Sequence, residues 1–246
     1  MKENTKALVS DGIEGWLDPI CAKAIDSLLL LQFEYNVRGD LGEIGVYHGK
    51  TLAHLVCHRR EGEKTFGVDP FVIKYRNGTT EDFFEKAKKN ISALNDTNTI
   101  HGETVLYKGI STDREIVQAL STYESKARVI SIDGSHAFND VLSDLTLCTD
   151  LISDDGILIV DDFCNSLNPE VTFALYEFLT NNSKGKSLKI VLAVSPKCSP
   201  RYGSSRIFLQ KKSSKISYRE PLLKKLQDCL SGCMTAYIPI LGDSIP

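Results

Sequence analysis

Three carboxylates and one histidine in this sequence stand where short apolar runs end. Asp133 lies in Ile132-Asp133-Gly134-Ser135-His136, and the pair Asp161-Asp162 in Val160-Asp161-Asp162-Phe163. If the two runs are neighbouring strands, ~4.8 Å apart, the three acids converge at the carboxyl edge of a sheet, where open α/β sheets take their ligands. Uncompensated, such a cluster repels itself. A hard divalent cation with oxygen ligands neutralises it, with Mg2+ the first candidate and Mn2+ or Ca2+ the alternatives. Asp133, Asp161 and Asp162 are therefore the candidate metal ligands. His136 is the candidate general base, because a near-neutral imidazole can take a hydroxyl proton. The competing explanation is that Asp133 and Asp161 cap the helices that follow and His136 satisfies a loop hydrogen bond.

A second constellation is the turn Gly42-Glu43-Ile44-Gly45-Val46-Tyr47-His48-Gly49-Lys50-Thr51, followed by a helical pattern. Its glycines let the backbone turn tightly and approach a ligand, and the next helix offers free N–H groups and the positive end of its dipole. The intervals from Gly42 to Gly45 to Gly49 do not fit the dinucleotide fingerprint G-x-G-x-x-G. Nor is this a P-loop, since Ile44 stands where the first glycine is required. Asp69 closes the next apolar run in Gly67-Val68-Asp69-Pro70-Phe71, where an acid can meet a ribose diol and Phe71 can lie against a purine. Taken singly these are common loop residues; together and in order they favour a nucleoside ligand.

The elements that must position these groups alternate. Apolar runs at 40–46, 65–71, 104–110, 127–135 and 156–163 are followed by helical patterns at 51–60, 81–94, 113–123, 139–152 and 170–181, and the runs LKIVLAV and SSRIFLQ come last. Strands alternating with helices call for a mainly parallel sheet covered on both faces, here seven-stranded, α/β and doubly wound, with the last two runs as an antiparallel hairpin. DPICAKAIDSLLLLQF, 18–33, reads as an amphipathic helix ahead of that sheet. The expected organisation is an N-terminal helical extension (1–38), the main domain (39–210), and a C-terminal helix near 221–230 with an irregular tail (211–246).

Size and charge narrow the function. At 246 residues one domain with appendages is the prior, and 42% hydrophobic against 25% charged residues is the balance of a globular protein. A formal net charge of −3 gives no support to nucleic acid as a partner, so a small-molecule acceptor is expected. No apolar run approaches the ~18 residues of a membrane span and no leader pattern opens the chain, so a cytoplasmic protein without a membrane partner is expected. The seven cysteines form no C-x-x-C pair and are odd in number, which fits reduced thiols. Weaker features are a lid-like stretch at 72–80 with Tyr75 and Arg76, and the stretch 196–202 beside the acceptor pocket. His54 and His58 share a helix face but show no third metal ligand in the pattern. Asp140, Asp144, Asp154 and Asp155 read as solvated or capping.

Together E-I-G-V-Y-H-G-K-T, G-V-D-P-F, I-D-G-S-H and I-V-D-D-F resemble the class I S-adenosylmethionine-dependent methyltransferases. They are most similar to the metal-dependent branch that methylates macrolide and aminocoumarin sugars, over roughly Gly39 to Phe208. The resemblance implies a Rossmann-like sheet, with Glu43, Gly45, Tyr47, Gly49 and Thr51 around the methionine part of S-adenosylmethionine, Asp69 at its ribose, and Gly109 to Ser111 at the adenine. It also implies that Asp133, Asp161 and Asp162 hold the cation and that His136 is the base, while other members place an acid where Ser135 stands. The implied activity is transfer of a methyl group to a small-molecule hydroxyl, in a chain that can form a homo-oligomer. The other readings are a hydroxylase-like relative that keeps the metal, and a non-catalytic nucleoside-binding subunit.

Overall fold

The computed structural model describes residues 12–74, 77–95, 102–123, 126–195 and 205–229. Helix α1 (Pro19–Glu34) begins as its sequence requires: the Asp18 carboxylate accepts the N–H of Ile20 at 2.9 Å, and a proline occupies the first turn, where no N–H is needed. Strand β1 (Asp40–Ile44) leads through the glycine turn into α2 (Lys50–Val56). β2 (Thr65–Asp69) is followed by a hairpin of β3 (Val72–Lys74) and β4 (Thr80–Asp82), and then by α3 (Phe84–Asn95). Three further units are β5 (Thr104–Lys108) with α4 (Arg114–Ser121), β6 (Ala127–Ile132) with α5 (Phe138–Leu151), and β7 (Ile152–Phe163) with α6 (Pro169–Asn181). β8 (Leu188–Val194), β9 (Ser205–Lys211) and α7 (Arg219–Cys229) end the described chain.

The main sheet has seven strands in the order β5-β2-β1-β6-β7-β9-β8. The first five run parallel, and β9 lies antiparallel between β7 and β8. This is the doubly wound, mainly parallel sheet expected. Strands β1, β2 and β6 are buried at every position, as they must be when helices cover both faces. On one face Val129, Ile157, Ile159 and Phe208 pack beneath α1 and α7, and on the other Ile130, Leu158, Val160 and Leu209 pack beneath α5 and α6.

Two elements differ from expectation. The helix foreseen from Glu81 starts at Phe84, because Thr80–Asp82 pairs with Val72–Lys74 and the Asp82 carboxylate accepts the N–H of Phe84 at 3.0 Å, stopping the helix there. α2 ends at Val56, short of Arg60; beyond it Arg59 turns inward to donate to Gly102 O at 2.7 Å and Thr104 Oγ1 at 2.8 Å. Tyr75, Arg76, His101 and the stretch 196–202 lie outside the described residues. Among those described, no helix is long and apolar enough to cross a membrane, and Cys21, Cys57, Cys148 and Cys164 are free thiols.

The strand order reverses at β1, whose neighbours β2 and β6 lead away in opposite directions, and the crevice at such a switch point is where ligands bind. Gly45 sits at that point with φ +85°, and a Cβ there would lie 1.8 Å from the carbonyl oxygen of Asp133. Gly62 has nearly the same φ, +82°, with open space around it. Gly62→Ala should therefore lose only the roughly 1 kcal/mol of a forced positive φ, whereas Gly45→Ala should lose several times more or fail to fold. Urea unfolding of the two variants side by side checks this; equal losses would refute the close approach.

Candidate active site

Parallel register builds the site. Ile44 pairs with Val68 and with Ile132, and Ile132 pairs with Val160. One residue further along each strand, Gly45, Asp69, Asp133 and Asp161 come into a single row at the carboxyl edge, and all four line a cavity of about 930 Å³. The row reaches β9 as well: Val160 pairs with Ile207, so Arg206 comes beside Asp161.

The acids in this row are compensated in different ways. Arg206 is buried and its Nη2 donates to Asp161 Oδ2 at 2.6 Å. Burial alone would lower the guanidinium, but Asp161 and Asp133 outweigh it and hold Arg206 above its usual range. Asp161 Oδ1 accepts the N–H of Asp162 at 2.9 Å, which leaves this carboxylate committed within the protein. Asp162 has left-handed backbone, φ +58°, which turns its side chain away from Asp161 and toward a different set of donors. It accepts from Asn165 Nδ2 at 2.7 Å and Asn168 Nδ2 at 2.8 Å, and pairs with His136 Nε2 at 2.8 Å. Burial would raise its pKa, yet these contacts bring it below the usual carboxylate value. Asp133 has no such set of donors, and burial together with the neighbouring Asp161 pushes it up. His136 Nε2 is also 3.8 Å from Asp133 Oδ1, and contact with Asp133 and Asp162 raises the imidazole to about 10.

The ligand atoms of Asp133, His136 and Asp162 lie within 4.8 Å of one another, close enough to surround one cation. Asp161, expected as the third ligand, lies outside this group and is paired with Arg206. The signal that could have shown this was Arg206 itself, a charge inside the apolar run SSRIFLQ, where it needs a buried partner.

Of the residues expected to meet a nucleoside, Tyr47, Asp69 and Ser111 line the cavity. Asp69 Oδ2 accepts the N–H groups of Val46 and Tyr47, both at 2.8 Å, and so clamps the glycine turn against the end of β2. Tyr47, at φ +49°, stacks between the rings of His48 and Trp16. Ser111 donates to Asp144, which the sequence suggested was solvated; instead it is buried, lines the cavity, and has its pKa pushed by burial to about 6. Four expected residues stand outside the cavity wall. Glu43 is buried behind Asp133, where burial and that neighbour raise it well above the usual value, and it takes a backbone hydrogen bond from Leu52. Gly49 is the left-handed cap of α2 and Thr51 is buried inside that helix. Phe71 lies not against a ligand face but fully buried, edge-on to Phe83 and Phe84. Conversely, Trp16, Leu17, Asp18 and Cys21 form a wall that the motifs did not announce.

A doubly wound sheet of this order, with acids gathered at the switch point, defines a class I methyltransferase fold. Residues 43–163, just under half of the chain, match the family model described as Methyltransferase domain. Protein R132 of Acanthamoeba polyphaga mimivirus is 27% identical over 146 residues, 58% of this chain and 61% of that protein, so the alignment covers less than two thirds of the viral relative. Among solved structures, the O-methyltransferase from Bacillus cereus in complex with SAH is similar with a TM-score of 0.57 at 17% identity, covering 86% of this chain and 92% of that one. CalS11, a TDP-rhamnose 3'-O-methyltransferase of calicheamicin biosynthesis, gives 0.56 at 14% identity, over 80% and 82%.

Two variants test these electrostatics. Arg206→Met leaves Asp161 buried without its partner and should lose about 3–5 kcal/mol in urea unfolding, most of it regained in Arg206→Met/Asp161→Asn. No regain in the double variant would disprove the pairing. For Asp144, a folded-state pKa raised from 3.8 to about 6 means the native state holds the proton more tightly than the unfolded chain. Stability from this group is therefore lost as pH rises from about 4 to 6. Asp144→Asn should be more stable than the parent at pH 7, by at most about 3 kcal/mol, with the gap shrinking to nothing below pH 4. Thermal melts across that window measure it.

Proposed function

We propose that this protein transfers a methyl group from S-adenosylmethionine to a hydroxyl of a small molecule, with a divalent cation, Mg2+ first, at Asp133 and Asp162. The observation that carries the reading is the meeting, in one cavity, of the Gly45 turn and Asp69 on one side with Asp133, His136 and Asp162 on the other.

The residues suit the cofactor. Only a glycine fits at Gly45, which brings bare backbone to the ligand side, and Asp69 and Ser111 stand at the ends of β2 and β5 for the ribose and the adenine. When bound, S-adenosylmethionine supplies an electrophilic methyl on a positively charged sulfur. The residues also suit a hard cation, since the oxygens of Asp133 and Asp162 face one another across His136; such an ion supplies Lewis acidity to the acceptor hydroxyl. His136 Nε2 is the atom placed to take the hydroxyl proton. In the free protein Asp133 and Asp162 hold a proton on His136. Asp133 and Asp162 would hold the cation, and with their charge taken up in that way His136 would be free to act as a base. Asn165 and Asn168 fix Asp162, and Arg206 keeps Asp161 from competing for the same ion.

The cavity mouth favours an acceptor with an apolar body. Trp16, Ile110, Leu167 and Val72 line it while 69%, 55%, 62% and 38% exposed, more apolar surface than an isolated loop residue would show. Sugars and hydroxylated natural products are the first acceptors to screen, CalS11 being a TDP-rhamnose 3'-O-methyltransferase.

Calorimetry with S-adenosylhomocysteine should detect binding, and chelation of divalent ions should stop methyl transfer. His136→Ala should lower turnover by about 10²–10⁴-fold, the span of general-base catalysis, with nucleoside affinity changed by less than about threefold. Absence of nucleoside binding would sink the whole reading, and full turnover by His136→Ala would remove the base.

A further inference from the structure

Apart from the residues that line the reaction cavity, a second group of ligating side chains comes together. Asp26 projects from the middle of α1, His54 from α2, and His58 from the turn that follows it. Both imidazoles approach the same oxygen, with Asp26 Oδ1 lying 3.0 Å from His54 Nε2 and 2.5 Å from His58 Nε2. The three ligand atoms all fall within 4.8 Å of one another. The sequence shows only the two histidines on one helix face; Asp26, 28 residues ahead of His54, is supplied by the fold.

Burial gives the cluster its meaning. His54 is only 2% exposed; its Nδ1 has no hydrogen-bond partner among the described residues, and its Nε2 meets Asp26 Oδ1 at 3.0 Å. A buried imidazole that reaches only one carboxylate oxygen is poorly satisfied, and here that oxygen is shared with His58. A metal ion accepts the lone pairs of both imidazoles and a carboxylate oxygen together, which one shared proton cannot do. In a tetrahedral zinc site with bonds of ~2.1 Å the donors stand roughly 3.4 Å apart; the two imidazole-to-carboxylate separations here, 3.0 and 2.5 Å, are somewhat shorter, within a group no wider than 4.8 Å. The Asp26 side chain is 28% exposed, so the fourth position opens to water. Two imidazoles with one carboxylate select Zn2+ or a similar borderline ion over Mg2+ or Ca2+.

We propose that Asp26, His54 and His58 form a zinc site that fastens the N-terminal helix to the helix behind the glycine turn. The segment leading into α1 carries Trp16, Leu17 and Asp18 of the cavity wall, and α2 is capped by Gly49, the end of the turn. The ion thus ties one wall of the cavity to its floor. It takes no part in methyl transfer, and the site stands whatever the transferase assay shows.

The test uses the full chain, stripped of metal, with Asp162→Asn in the background to disable the acidic cluster in the cavity. Zn2+ alone is titrated against a chromogenic chelator. One tight equivalent is expected, with a higher Tm than the metal-free protein, and Co2+ in its place should show the visible bands of a four-coordinate ion. Adding His54→Gln or His58→Gln should weaken Zn2+ by more than the roughly 10–100-fold that loss of an outer-shell partner brings, and abolish both the Tm gain and the Co2+ bands. Asp26→Asn, isosteric and partly exposed, serves if a histidine variant does not fold, and should weaken Zn2+ in the same way. Failure of the Asp162→Asn chain to bind Zn2+, or binding that is unchanged by His54→Gln or Asp26→Asn, overturns the proposal.

Discussion

Parallel strands in register carry equivalent positions side by side, about 4.8 Å apart, and at the carboxyl edge of this sheet the position after Ile44, Val68, Ile132 and Val160 is acidic in three of the four strands. Such a row cannot be left charged and bare. Much of the surrounding structure answers it: two backbone N–H groups on Asp69 Oδ2, a guanidinium on Asp161, two amides and an imidazole on Asp162. Asp133 lacks a comparable set of donors, and its backbone carbonyl lies against the bare backbone of Gly45. The site is thus a charge problem solved everywhere except at the place where a ligand is needed.

The compensation also separates tasks between adjacent residues. Asp161 and Asp162 are neighbours in sequence, but the left-handed backbone of Asp162 sends their side chains to different partners. One is locked into the sheet by Arg206; the other faces His136 and the cavity. A sequence shows two equivalent acids here, and the backbone makes them unlike.

The seven strands and their order were legible because the pattern is periodic and strands such as β6 are apolar throughout, which only a sheet covered on both faces explains. The edge acids were legible because they end those runs. What escaped depends on contacts between distant parts of the chain. Asp144 looked like one more surface acid on an amphipathic helix, and only the approach of Ser111 makes it an interior group. Phe71 follows Asp69 by two residues, but its left-handed backbone, φ +53°, turns it into the aromatic cluster under α3. Arg128 sits in the middle of a buried strand, where its guanidinium is satisfied by Glu63, Gln32 and the carbonyl of His58, three partners from 65 to 96 residues away along the chain. Short-range features misled too: Thr80–Asp82 carries helix-friendly acids, yet cross-strand pairing with Val72–Lys74 decides its conformation.

The wall formed ahead of α1 has a practical side. The chain contains a single tryptophan, Trp16, and it lies on that wall with its ring stacked 5.2 Å from Tyr47 at the glycine turn. Indole emission from this protein therefore originates beside the cavity and nowhere else. The molecule carries its own optical reporter: quenching or a colour shift of that one fluorophore reads out events at the mouth without any label.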